Sequence, residues 1–141
     1  MTGIEQQNIM LYSPRQMWIA TLFGGPLCGI YMLTANYNRL EKTEYAQNVI
    51  LVGSIMTVIH LLVALHPVID SFPQPAYQIL PAAILWGICE KYHISKKDII
   101  EDQRYTFRSN WTAVLVAIIG YAVLVTSMYL FYLSFKGLLF E

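Results

Sequence analysis

Four stretches of this chain carry no Asp, Glu, Lys or Arg: residues 16–38, 45–69, 71–89 and 109–135. Together they make up about two thirds of the 141 residues. A bilayer core of roughly 30 Å is crossed by about 20 apolar helical residues. A soluble domain of this length has interior enough for one such helix, not four. Charged residues are only 13% of the chain and the formal net charge is zero. These facts exclude an ordinary soluble enzyme and a disordered chain. They also exclude a nucleic-acid binder, which needs a basic face. Strands at these positions would have to alternate in polarity and close into a barrel of at least about eight, and the stretches show no alternation. Helices satisfy every backbone amide internally. The expected class is therefore all-α: a polytopic membrane protein, one domain, with a bundle of four transmembrane helices.

The spans are expected at about 16–38, 46–66, 75–92 and 111–135, with a cytoplasmic loop at 93–110. Lys and Arg near the span ends set the orientation. Arg39 and Lys42 lie between spans one and two, and Lys91, Lys96, Lys97, Arg104 and Arg108 between three and four. Only Arg15 and Lys136 lie on the other side. Seven against two predicts both longer connections in the cytoplasm and both termini outside. Trp18, Trp111 and the Tyr129–Phe131–Tyr132–Phe135 group fit interfacial belts. The first ten residues hold no Lys or Arg, so no signal peptide is expected.

In span one, Thr21, Gly25 and Gly29 recur at four-residue spacing, a stripe that predicts close helix packing or a dimer face. Pro26 within it predicts a kink, as does Pro81 in span three. In the loop, Ser95 and Asp98 suit the start of a short polar helix over residues 96–105, with Ile99 and Ile100 as its apolar side. Ser13, Pro14 and Gln16 suit the start of span one, and Ser109 or Asn110 the N-cap of span four. Cys28 and Cys89 each sit in an apolar stretch and read as buried free thiols.

Certain residues, taken in order, carry a resemblance. They are Ser13-Pro14 with Gln16, Gly24-Gly25-Pro26-Leu27, Asn36, Phe72-Pro73, Ile79-Leu80-Pro81, Glu90-Lys91 and Ser109-Asn110-Trp111. Over about residues 11–111 the chain resembles small bacterial inner-membrane proteins of unknown function that share Ser-Pro-x-Gln, Gly-Gly-Pro and Ser-Asn-Trp motifs. The resemblance implies a multi-pass protein of the bacterial inner membrane, with both termini periplasmic on the orientation above. It carries no reaction. Where that family has Gln before Ser-Asn-Trp, this chain has Arg108.

Polar groups inside membranes are costly and are candidates for function. Low-polarity surroundings single out His60 in span two, Asn36 at the end of span one, Glu90 near the end of span three and Asn110 at the start of span four. His66 and Asp70 are too few for a metal, and His93 lies on the opposite side, so no metal and no cofactor are expected. Haem is unfavoured because His60 and His66 lie on one helix, turned about 240° apart. No Ser/His/Asp group, HExxH, phosphate loop or dinucleotide fingerprint is present, so the chain is expected not to be an enzyme. The expected role is a non-enzymatic accessory or scaffold subunit of a membrane complex, with the bilayer and a homo-oligomer or membrane protein as partners. The alternative is a small oligomeric transporter in which Glu90, His60 and Asn36 line a proton- or cation-linked path.

Overall fold

The computed structural model describes residues 8–64, 74–92, 96–102 and 104–139. Within them the order is β1 (Ile9–Leu11), α1 (Pro14–Gly24), α2 (Pro26–Arg39), α3 (Thr43–Ala64), α4 (Gln74–Tyr92), α5 (Lys96–Glu101), β2 (Tyr105–Phe107) and α6 (Asn110–Leu139). The chain is mostly helical, as its composition dictates. The two short strands were not foreseen. They pair in parallel, Ile9 with Tyr105, Met10 with Thr106 and Leu11 with Phe107.

Helix α1 starts where Ser13 turns its backbone extended (ψ 156°) and Pro14 supplies a preset helical φ. The Gln16 amide donates to Ser13 Oγ at 3.2 Å, and the Ser13 amide donates to Gln16 Oε1 at 2.9 Å. This reciprocal pair is a capping box. The helix stops at Gly25, whose φ of 82° and ψ of 178° break the spiral. Pro26 then opens α2 as its first residue.

In place of the expected span over 16–38, kinked at Pro26, the chain forms two separate helices. Helix α2 returns along α1, because Asn36 lies against Tyr12: the Tyr12 amide donates to Asn36 Oδ1 at 2.9 Å, and Asn36 Nδ2 donates to the Tyr12 carbonyl at 2.8 Å. The Arg39 guanidinium also donates to the Met10 carbonyl. The two half-helices thus make a hairpin with its tip at Gly24-Gly25-Pro26 and its base at residues 12 and 36. The physical reason is the glycine conformation, open only to a residue without Cβ. Pro26 is no kink within a helix but the start of the returning one.

The stripe of Thr21, Gly25 and Gly29 is corrected by the same geometry. Gly25 is the break, and Thr21 and Gly29 face each other across the hairpin. A Cβ on Gly29 would lie 2.5 Å from Thr21 Oγ1. Spacing four residues either side of the turn imitates a stripe on one helix.

Helix α2 ends in a left-handed residue, Glu41 (φ 58°). The Lys42 amide donates to the Tyr37 carbonyl at 2.9 Å, and the Glu41 amide to Asn38 at 3.2 Å. This is a Schellman termination, and it reverses the chain into α3, which packs along α2. Helices α4 and α6 pack on α1. Met17 and Cys89 meet near the base, sulfur to sulfur at 3.9 Å. A Cβ on Gly24 would come within 2.6 Å of the Ala117 carbonyl, so the hairpin tip abuts α6 backbone to backbone.

The buried core is mainly the hairpin itself: Tyr12, Met17, Ala20, Cys28, Met32, Leu33 and Tyr37. The most apolar helices are instead at the surface. Thr43–Val63 and Asn110–Ser134 are long and apolar enough to cross a membrane, and few of their residues are buried. Helix α4 contributes a shorter apolar segment, Ile79–Cys89. Helix α5 forms within the expected loop helix, but it ends at Glu101 before the chain extends into β2. Ile99 is buried under it and Ile100 exposed.

Candidate functional site

The parallel ladder brings the starts of α1 and α6 side by side, and the polar residues collect there. The Ile9 amide donates to the Arg104 carbonyl, and the Arg108 amide to the Leu11 carbonyl, both at 2.9 Å. Gln16 closes the gap between the two helices. Its Nε2 donates at 2.7 Å to the Arg108 carbonyl and at 2.7 Å to Asn110 Oδ1, while its Oε1 is held by Ser13. The Arg108 guanidinium stands over the Tyr12 ring, 5.1 Å from its centroid, within cation–π range. Tyr12 is 1% exposed, and among the described residues its hydroxyl has no hydrogen-bond partner. Burial pushes the Tyr12 phenol up from its ordinary value, partly offset by Arg108. The phenol therefore stays neutral at physiological pH.

Two ion pairs lie on the 97–104 segment beside this base. Hydrogen bonds from Arg104 hold the Asp102 carboxyl below the usual carboxylate range, with Arg104 Nη2 2.7 Å from Asp102 Oδ2. Lys97 and Glu101 form an exposed pair at 3.7 Å. Arg15, at the second position of α1, is exposed and makes no ion pair among the described residues.

The candidates separate by position. Asn36 is fully buried, and both ends of its amide are bonded to Tyr12. It acts as the latch of the hairpin. Asn110 is joined to Gln16. The cap of α6 is Ser109, whose Oγ accepts from the Trp111 amide at 3.3 Å. His60 is buried on α3, but it lies 17 residues along that helix from Thr43, about 26 Å at helical rise. It does not join Asn36 and Asn110 at the base. The side chain of Glu90, and residues His66, Asp70, His93 and Ser95, lie outside the described residues.

Sequence reading assigned Gln16 only to the helix start. The Ser13-x-x-Gln16 spacing is a local signal for the capping box. Nothing local signals that the same amide spans to residue 110.

Between α1 and α6 runs a groove of about 770 Å³, within the range of small-molecule sites. Ser13, Arg15, Gln16 and Asn110 lie at one end; Ile19, Phe23, Val114, Ile118 and Tyr121 are among the residues lining the rest. A second, almost wholly apolar cavity of about 290 Å³ lies between α2, α3 and α4, beside Ile30, Gly53, Pro81 and Leu85. The chain matches no family model, and neither curated proteins nor solved structures show a significant match to it.

Proposed function

We propose that the chain is a non-enzymatic accessory protein of a cell membrane, with three crossings (α3, α4 and α6) and a re-entrant hairpin (α1–α2) in place of a fourth. The observation that carries the re-entrant topology is the pair of hydrogen bonds between Asn36 and Tyr12. With the hairpin closed there, the N-terminal strand, the turn at residues 39–42 and the 104–110 segment share one face. Eight of the nine basic residues then belong to that face: Arg15, Arg39, Lys42, Lys91, Lys96, Lys97, Arg104 and Arg108. Lys136 alone remains opposite. By the positive-inside rule that face is cytoplasmic. The N-terminus moves from the expected outer side to the cytoplasm, and the C-terminus stays outer.

Depth supports the reading. Gly120 touches the hairpin tip and lies ten residues beyond Asn110, about 15 Å along α6. That is half of a roughly 30 Å hydrocarbon core. A non-helical bend is tolerated at that depth only where protein buries it, and Gly24, Gly25 and Pro26 are all buried. Exposed Leu, Ile, Val and aromatic side chains on α3 and α6 then face acyl chains. His60 does not meet Asn36 and Asn110, and the hairpin interior is filled by Met17, Cys28 and Met32. This favours a lateral working surface over a polar path.

A cysteine placed at Asn8 tests the topology. It should resist an impermeant thiol reagent in intact cells and react after permeabilisation, while a periplasm-dependent reporter fused after Glu141 is active. Labelling at Asn8 in intact cells would restore four crossings and remove the hairpin from the membrane.

A further inference from the structure

We propose that the groove between α1 and α6 seats one acyl chain of an anionic phospholipid from the leaflet nearest the hairpin base, with Arg15 on its phosphate. This rests on the membrane placement above.

The groove is graded along its length. Its polar groups, Ser13, Arg15, Gln16 and Asn110, sit at one end, and its remaining walls are apolar. An amphiphile has that gradient; a membrane helix, apolar along its whole crossing, does not. The length fits as well. From Asn110 to Tyr121 is about 16 Å of helix, the depth of one leaflet in a core of roughly 30 Å. The charge selects the headgroup. No Asp or Glu lines the groove, and Arg15 is exposed with no acidic partner among the described residues. Ser13 and Gln16 are spent on each other and on α6. Arg15 is thus the one charged lining residue, and it is the group that meets a phosphate. The walls Val114, Ile118 and Tyr121 are themselves well exposed, so the groove opens sideways, and a lipid enters without any helix moving.

The test uses the full chain in a mild detergent, given equal amounts of phosphatidylglycerol and phosphatidylcholine, with retained lipid read by native mass spectrometry. Wild type should retain one phosphatidylglycerol about fivefold over phosphatidylcholine, the preference one basic side chain at a membrane surface supplies. Arg15→Gln should still hold lipid but lose the preference. Val114→Trp, a substitution at an exposed wall, should hold neither lipid while melting as wild type does. Equal retention of both lipids by wild type and by Arg15→Gln would overturn the proposal, as would full retention by Val114→Trp. So would a dimer that Val114→Trp splits without any change in lipid, because the groove would then seat a second copy. None of these outcomes alters the labelling at Asn8, so failure here is distinct from failure of the topology.

Discussion

Asn36 replaces a piece of backbone. Its carboxamide offers Tyr12 the same acceptor and donor pair that a neighbouring strand would, at a point where β1 has ended and α1 has not begun. Both Tyr12 groups are buried, so each must be bonded or costs its desolvation. Asn36→Ala should leave the amide and carbonyl orphaned and lower stability by about 1–3 kcal/mol for each group stranded. Asn36→Asp should do no better, since the donor facing the Tyr12 carbonyl becomes an oxygen. Thermal melting in detergent decides: a variant melting with wild type would mean that water supplies the missing bonds and that the latch is dispensable. The polarity of Asn36 was legible in the sequence, and its depth made it a candidate. Its partner was not legible, because a backbone group 24 residues away leaves no side-chain signature.

Among the elements, the hairpin depends on one backbone conformation. Gly25 has a φ and ψ open almost only to glycine, and a Cβ there would also lie 3.1 Å from Leu124 Cδ2. Gly25→Ala should cost about 1–3 kcal/mol for the strain alone. Gly87 is the control: it lies within α4, and a Cβ there would meet nothing within 4 Å. Gly87→Ala should raise stability by about 0.5–1 kcal/mol. The fraction surviving a heat step, read by size exclusion, separates them. Equal survival would mean that the tip relaxes freely and the turn is not held by α6.

Helices α3, α4 and α6 lie along the uncharged stretches, because uncharged length is a strong signal. The hairpin was not readable in this way. A glycine–proline pair inside an apolar stretch fits a kinked crossing and a reversal equally well. The choice is made by Asn36 meeting Tyr12 and by Gly24 meeting Ala117, contacts that local sequence does not encode. The three-residue strands are too short to show a period of two.

For the molecule as a whole, the usual relation between apolarity and burial is inverted. Among the longer helices, the less hydrophobic α1 and α2 form the centre, and the most hydrophobic, α3 and α6, pack outside them. In water this would expose contiguous apolar faces; in lipid it costs nothing, because the solvent is as apolar as the side chains. What then drives association is close packing and hydrogen bonding. Both are found where the theory needs them, at Gly24 against Gly120 and at Gln16 against Asn110. Gly120→Leu should therefore detach α6 from the hairpin, since a Cβ at residue 120 would already lie 2.9 Å from the Gly24 carbonyl. Ile119→Leu, at an exposed neighbour, should not. Protease sensitivity of the two variants in detergent would show it. Equal resistance would mean that α6 is held by the ladder alone.

That ladder has a consequence for how the chain is made. β1 leaves the ribosome first, and its partner β2 follows about a hundred residues later. Until then Gln16 has neither the Arg108 carbonyl nor Asn110 to bond, and two half-helices, each too short to cross, have no α6 to lie against. On the proposed three-crossing topology, the N-terminal segment waits at the membrane surface while α3 and α4 go in. Only the last helix completes the first. Chains stopped after residue 108 should therefore insert α3 and α4 yet leave Met17 and Cys28 open to thiol and oxidant chemistry that the finished protein resists.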